Sequence, residues 1–361
     1  MNRSQDLVIL LGAGASAEAG IPPSASMIRN LERLLKDDAS WQPFAALYNH
    51  VKSSIYYSSG LRGLFDDDVV FNIETLVNTL NELERNEVHP IYPFIASWNS
   101  RFLDLAGTNF RQIMRFRAKI LEKLKDWMCP EDGSHGSYFG GFRTLQQHLT
   151  YPLRIFTLNY DLCLEDIGRD AFRIETGFQD YGPAHLWDYE RFNDSPTSND
   201  PNPEVFLYKL HGSINWKRDD QKSLYQVKQV QSVESRSMEL IFGREFKLEA
   251  ADPYLFYTYE FRRLTAEARL VVTIGYGFAD EHINKILSQA LRRPDGPKLH
   301  VFTKTADVST YQNQLSKSLE LSSDRLTVEN RSAKNLLEAP DIGELFQALI
   351  PNDPDPFDGA T

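Results

Sequence analysis

Cysteine is scarce in this chain of 361 residues, where Cys129 and Cys163 are the only two. Two thiols so far apart make no disulfide framework, and no C-x-x-C pair is present to hold zinc. That usage fits a reducing cytoplasm. His135, His148, His185 and His282 also lack ligand spacing, so no metal is expected. Long apolar runs are missing as well: none approaches the roughly eighteen residues that a membrane span needs, so no membrane partner is expected. Positive charge is in deficit, with 39 Lys and Arg against 50 Asp and Glu and a formal net charge of −11. Such a surface repels polyanions, which argues against strong direct nucleic-acid binding. No internal repeat is found. What remains is an ordinary globular composition, 42% hydrophobic and 25% charged, long enough for one or two domains.

The most informative stretch is the apolar run Leu7-Val8-Ile9-Leu10-Leu11 followed by Gly12-Ala13-Gly14-Ala15-Ser16-Ala17-Glu18-Ala19-Gly20-Ile21-Pro22. A strand ending in small residues lets backbone N–H groups close on a phosphate, and a helix beginning just after adds its positive end. The spacing departs from G-x-G-x-x-G, with Ala17 in the place of the third glycine, and a tight turn that binds nothing would use the same residues. Arg3, a short apolar run and Ala15-Ser16-Ala17 imitate a secretory leader, but Asp6 interrupts the basic region and the run is too short.

Short β-rich runs recur at 7–11, 154–158, 205–210, 270–274 and 299–303, mostly without polar alternation, as in a parallel sheet covered on both faces. Helical patterns lie between them. The clearest is 281–291, where Ile283, Ile286, Leu287, Ala290 and Leu291 share a face. Alternating strands and helices predict an α/β, Rossmann-like, doubly wound parallel sheet with a large helical insertion. The expected division is a nucleotide-binding domain over 1–26 and 151–350, a helical insertion over 27–150 and a disordered tail over 351–361. The insertion carries Val70, Ile73, Val77 and Leu80 at helical spacing. It also carries a helix near 109–127 with Ile113, Phe116, Ile120, Leu124 and Trp127 inward, its basic residues reading as a solvated face or as a surface for an acidic partner or nucleic acid. The turn formers of 192–203 make an exposed loop.

Three further blocks each follow an expected strand: Thr157-Leu158-Asn159-Tyr160-Asp161, His211-Gly212-Ser213-Ile214-Asn215-Trp216 and Gly275-Tyr276-Gly277-Phe278-Ala279-Asp280. In open α/β sheets ligands bind beyond the carboxyl ends of the strands, so all four blocks can face one crevice. Each residue also has a plain structural use. Asn159 and Asp161 suit a cap for a helix starting near Leu162, His211 suits a paired buried histidine at a turn, and Asp280 suits an N-cap.

Together the four blocks resemble the sirtuin-like superfamily, and within it the NAD-hydrolysing branch of prokaryotic anti-phage defence. Gly12-Ala13-Gly14-Ala15-Ser16 and Gly20-Ile21-Pro22 look like the family's phosphate and ribose loop. Thr157, Asn159 and Asp161 look like its T-x-N-x-D block, and His211-Gly212-Ser213 like its catalytic histidine motif. The deacylases usually follow Gly-Ile-Pro with Asp-Phe-Arg and carry a four-cysteine zinc module. Here Pro23-Ser24-Ala25 stands in those places and the module is absent, which leaves nicotinamide–ribose cleavage as the better-supported chemistry.

The resemblance implies NAD⁺ as substrate without a metal, and catalysis by Asn159, His211 and Asp161. It implies cofactor contacts from Gly12, Ala13, Gly14, Ala15, Ser16, Gly20, Ile21, Pro22, Thr157, Gly212, Ser213, Gly275, Tyr276, Gly277 and Phe278. Nicotinamide leaves an already cationic ring, so positioning and negative potential near the sugar matter more than acid assistance. A histidine with an ordinary pKa near 6.5 suits proton removal from water or a ribose hydroxyl. The expected activity is an NAD⁺ glycohydrolase gated within a homo-oligomer, with a HerA-type ATPase as a possible partner. The other readings are an NAD-dependent deacylase, an ADP-ribosyl transferase and a non-hydrolytic NAD or ADP-ribose sensor.

Overall fold

A computed structural model describes residues 6–65, 69, 71–84, 100–107, 110–130, 133–181, 184–193, 202–242 and 252–339. The central element is a seven-stranded parallel sheet. Its strands are β1 (Leu7–Leu11), β2 (Leu153–Thr157), β3 (Ile174–Glu175), β6 (Val205–Lys209), β11 (Leu270–Ile274), β12 (Lys298–Thr303) and β13 (Leu326–Asn330), in the spatial order β13-β12-β11-β1-β2-β6-β3. From β1 the chain steps outward to β2 and β6, then crosses back to β11 and steps outward the other way to β12 and β13. The reversal falls between β1 and β11, whose register pairs Leu7 with Leu270 and Leu11 with Ile274. A crevice opens at such a switch point beyond the carboxyl ends of the strands.

Every residue of β1, β2, β6 and β11 is buried. Alternation along β1 divides its side chains between two cores. Leu7, Ile9 and Leu11 face one that includes Met27, Leu31, Leu76 and Phe116, and Val8 and Leu10 face another with Leu264, Ile283, Leu287 and Leu315. The first core is built by helices α1 (Ser24–Asp37), α2 (Ala45–Gly60), α3 (Ile73–Glu84), α4 (Ser100–Ala106), α5 (Arg111–Met128), α6 (Gly141–Gln146) and α7 (Cys163–Ala171). The second is built by α8 (Tyr254–Glu267), α9 (Glu281–Leu291) and α10 (Val308–Leu319), while α11 (Ala333–Glu338) returns to the first. Helices on both faces make the architecture α/β and doubly wound, as the alternation predicts. Among the described residues none of 27–150 is in a strand, and the core of these helices is continuous with that of the sheet.

Helix α9 begins where the side-chain pattern places it, because Asp280 accepts the N–H groups of His282 and Ile283 as an N-cap. Helix α5 buries Ile113, Phe116, Ile120 and Leu124 as expected, with Trp127 half-buried. Several of its cations have intramolecular partners: Arg117 meets Glu84 at 3.4 Å, Lys119 lies 4.8 Å from the centre of the Trp41 ring and Lys125 donates to the Val233 carbonyl at 2.6 Å. The expectations for Val70, most of the 192–203 loop and the 351–361 tail fall outside the described residues. Not anticipated were the two edge strands β3 and β13, and a four-stranded antiparallel sheet of β4 (Phe178–Tyr181), β5 (Ala184–Trp187), β9 (Leu224–Val227) and β8 (Trp216–Arg218). Phe178 and Trp216 of that small sheet pack ring against ring at 5.1 Å. Among the described residues no helix is long and apolar enough to cross a membrane.

A shared core predicts one cooperative transition. Phe116, fully buried, costs roughly 3–5 kcal/mol when cut to alanine, and urea curves of the variant and the parent should superpose whether read by circular dichroism or tryptophan fluorescence. Two separated transitions would show that the insertion folds independently.

Candidate functional site

The turn after β1 is locked to the turn after β11. Gly12 N–H donates to the Ile274 carbonyl at 3.0 Å, and Gly14 N–H to the Gly275 carbonyl at 2.9 Å. A Cβ on Gly12 would sit 2.5 Å from the Tyr276 Cα, and one on Gly14 would sit 2.8 Å from the Gly275 Cα. These glycines are therefore required by the close approach of two backbones. The expectation that their N–H groups face a phosphate needs correcting, since those of Gly12, Gly14 and Ala15 already meet carbonyls of Ile274, Gly275 and Gly12. The expected helix dipole is displaced too. Two short 3₁₀ turns, Ala13–Ala15 and Ala17–Ala19, come first, Gly20 turns left-handed at φ +93°, and α1 starts only at Ser24. Consecutive prolines at 22 and 23 hold the chain extended until then.

Asn159 reaches this turn from the end of β2. Its Nδ2 donates to the Gly12 carbonyl and to Ser16 Oγ, both at 3.0 Å, and its own N–H is taken by Thr157 Oγ1 at 3.0 Å. A carbonyl can only accept, so the amide is oriented with its nitrogen toward the turn. Its Oδ1 is thereby left as the atom able to accept a hydrogen bond from water or a sugar hydroxyl.

His211 follows β6 and is 4% exposed. Its Nε2 lies 3.1 Å from Asp280 Oδ2, while Asp280 Oδ1 caps α9. Asp280 is thus an N-cap and the partner of the histidine at once. Burial pushes its carboxyl up, but the His211 imidazole and the Ile283 and His282 N–H groups outweigh this and hold it below the ordinary aspartate range. Tyr160, next to Asn159, places its ring 6.3 Å from that of His211. The blocks after β1, β2, β6 and β11 therefore meet beyond the carboxyl ends of their strands.

Asp161 serves the framework. Its Oδ1 accepts the Cys163 N–H at 3.0 Å at the start of α7, the capping use weighed above, and its Oδ2 is buried with no hydrogen-bond partner among the described residues. Its carbonyl accepts from Lys209 Nζ, which also pairs with Glu165 at 2.8 Å in the interior. Ser213, completely buried, donates to Asn215 Oδ1 at 2.8 Å. Gly212, at φ +87°, has no room for a Cβ against the Glu239 carbonyl. Ile21 and Tyr276 point into the two cores, and the Tyr276 hydroxyl donates to Asn284 Oδ1 at 2.8 Å. Phe278 lies against Tyr276 with ring centres 4.6 Å apart and the ring planes tilted by 42°. Gly20 and Gly277 are exposed and Pro22 is half-buried. A Cβ on Gly277 would meet no atom of the described residues within 4 Å.

Two groups of residues escaped the sequence reading. Glu74, on the first turn of α3, has its carboxyl pushed up by burial and by Asp280, against the opposing pull of His211 and Ser24. On an amphipathic helix such a residue reads as a solvent-facing position. The second group lines a cavity of about 460 Å³ at the same edge of the sheet, beyond β12 and β13, formed by Lys304, Thr305, Ala306, Asn330, Ser332 and Asn335. Glu18 of the glycine loop adjoins it, meeting Lys304 at 3.2 Å and the Lys334 N–H at 3.1 Å. No group of His, Cys, Asp and Glu among the described residues could hold a metal ion.

Residues 153–325 match the family model of the SIR2-like domain, and the three blocks after β2, β6 and β11 lie within the matched stretch. Solved structures similar to the chain include a Sir2 enzyme at 11% identity, covering 96% of this chain and 95% of that one with a TM-score of 0.40. A Sir2 homologue in complex with NAD aligns at 12% identity over 96% and 92%, TM-score 0.42. A Sir2 bound to acetylated peptide aligns at 12% over 92% and 90%, TM-score 0.36. No curated protein matches the sequence.

The Asp280 geometry yields a pH-dependent stability. A carboxyl depressed in the folded state stabilises above its unfolded pKa, about 3.9, and that stabilisation is lost as pH falls through the folded value. Asp280→Asn should lower the urea midpoint at pH 7, and the gap from the parent should narrow on going to pH 3. A gap of constant size would mean that the ionised carboxylate contributes nothing.

Proposed function

We propose that the protein is an NAD⁺ glycohydrolase that splits NAD⁺ into nicotinamide and ADP-ribose. The single observation that carries this reading is the convergence of Asn159, His211 and the Gly12–Ser16 turn on one crevice at the switch point of the sheet. The SIR2-like match over 153–325 supports it. The nicotinamide ribose would lie between Asn159 Oδ1 and His211, with the adenosine half directed past Glu18 toward the cavity beyond β12 and β13. Asn159 positions the attacking water or a ribose hydroxyl. His211 takes the proton, and the Asp280 carboxylate stabilises the imidazolium so formed. The same carboxylate adds negative potential near a sugar that becomes cationic as nicotinamide departs.

The finer role, also proposed, is a gated effector of anti-phage defence acting in a homo-oligomer with a HerA-type ATPase in the cytoplasm. It rests on the resemblance of 275–280 and Glu281-His282-Ile283-Asn284 to the defence branch. A non-hydrolytic sensor of NAD or ADP-ribose is the second reading, favoured by the engagement of the Asn159 amide nitrogen with protein acceptors.

Purified protein, alone and with the product of the neighbouring gene, is expected to release nicotinamide from NAD⁺. His211→Ala and Asn159→Ala should each lower the rate by at least about a hundredfold, the scale of a lost acid–base or positioning group, while both variants keep the parent's circular-dichroism spectrum at the assay temperature. ADP-ribose binding without turnover would select the sensor, and neither binding nor turnover would reject both. Gly277→Ala provides a separate check. With open space around its Cβ it should leave stability within about 0.5 kcal/mol of the parent while weakening ADP-ribose binding, because the ligand's approach is the only steric demand left at that position. Unaltered affinity would place the ligand away from the 275–280 turn.

A further inference from the structure

The parallel ladder between β2 and β6 ends with Thr157 opposite Lys209, and one further bond runs from the Leu210 N–H to the Thr157 carbonyl at 2.9 Å. Asn159 and His211 each lie two residues past that last pair, where the sheet no longer fixes the distance between them. Tyr160 carries the ties onward. Its carbonyl accepts the Ile214 N–H at 3.2 Å, and its hydroxyl donates to the Ile241 carbonyl at 2.7 Å. Ile241 in turn donates its N–H to the His211 carbonyl at 2.9 Å. The residue next to Asn159 is thus joined to the His211 block by two routes. Its ring is buried, with its centre 5.7 Å from that of Phe242 and 6.3 Å from that of His211.

Ile241 belongs to a strap that is itself anchored at several points. Just ahead of it, β10 (Glu239–Leu240) pairs antiparallel with β7 (Gly212–Ser213), Glu239 opposite Ser213 and Leu240 opposite Gly212. The Glu239 carboxylate meets Arg218 at 2.9 Å. Val230, Val233, Met238 and Phe242 join the first core, and Lys125 of α5 donates to the Val233 carbonyl at 2.6 Å. A carbonyl on so well held a segment is a fixed point, and the hydroxyl bonded to it must keep to hydrogen-bond distance and angle. Burial lifts the Tyr160 phenol far above its usual range, so the hydroxyl keeps the proton that it donates.

We propose that Tyr160 is a positioning residue for the Asn159–His211 pair, its hydroxyl setting, through Ile241, where the His211 main chain stands relative to Asn159. The inference deepens the NAD⁺-cleaving reading and rests on it for its kinetic meaning, while the tie itself is measurable without any substrate. A phenylalanine would pack against Phe242 equally well, so the hydroxyl is the atom that separates positioning from packing.

The test is native-state hydrogen exchange of the full chain, read by NMR in the parent and in Tyr160→Phe. In the parent the Ile241 amide should be protected, and exchange at the rate of an unstructured amide overturns the proposal whether or not the variant folds. In Tyr160→Phe that amide should exchange roughly tenfold faster, the scale of one lost hydrogen bond, while the Val272 amide of β11 keeps the parent's rate. An unchanged rate at Ile241 overturns the proposal. An equal increase at Val272 overturns it too, because a loss of overall stability speeds both. If the parent cleaves NAD⁺, Tyr160→Phe should lower kcat by about tenfold to a hundredfold, the cost of a misplacement on the ångström scale, with KM within about twofold of the parent's. A kcat equal to the parent's would count against any positioning role. Absence of NAD⁺ cleavage in the parent would refute the activity while leaving the exchange rates to decide on Tyr160.

Discussion

Two backbone turns that touch without side chains between them set the geometry of this protein. Gly12 and Gly14 at the end of β1 lie against Gly275 and Tyr276 at the end of β11, with carbonyls of one strand end accepting N–H groups of the other. Substituting any of these glycines puts a carbon where backbone already is. The contact occurs where the strand order reverses, so it forms the floor of the crevice as well as a join in the sheet. Asn159 reads the position of that floor directly, through Gly12 and Ser16. The block that begins at Gly275 ends at Asp280, which holds His211. The arrangement of the site is inherited from one backbone contact.

Polar groups under the crevice keep its loops in place. Lys209 and Glu165 form an interior pair, and the lysine also ties the carbonyl of Asp161. Such a pair gives little net stability, but removing one member leaves an uncompensated charge in the interior, so it acts chiefly as a restraint on the turn that presents Asn159. From above, Tyr138 donates to the Ala15 carbonyl at 2.5 Å. The segment between β1 and β2 thus helps to hold the glycine turn.

The sheet was readable because β1, β2, β6 and β11 are short, mostly apolar runs without regular polar alternation, the pattern left by burial on both faces, with Arg154 and Lys209 as the buried exceptions. β13 escaped because it is an edge strand, Leu326-Thr327-Val328-Glu329-Asn330, whose outward positions are polar and whose flanks are Arg325 and Arg331. The small antiparallel sheet escaped because its strands are three or four residues long and mostly half-buried. At the site, the blocks around Asn159 and His211 stand out locally since each follows a strand. Asp280 was legible as a cap, whereas its bond to a histidine 69 residues earlier in the chain has no local signature. Glu74 and the residues beyond β12 and β13 were illegible for the same reason. Their meaning lies in contacts between distant segments, and a charged residue on an amphipathic helix gives no hint that tertiary packing buries its carboxyl. The glycines taught the reverse lesson, because a pattern that suggests phosphate binding is also what two interlocked turns require.

A crystal structure of the protein with ADP-ribose, the product that retains every recognition element but nicotinamide, tests the central claim most directly. The account predicts the distal ribose between Asn159 and His211, the pyrophosphate along the Gly12–Ser16 and 275–277 turns, and the adenosine in the cavity formed by Lys304, Asn330 and Ser332. A ligand bound elsewhere on the molecule, or a distal ribose out of reach of both Asn159 and His211, would contradict it.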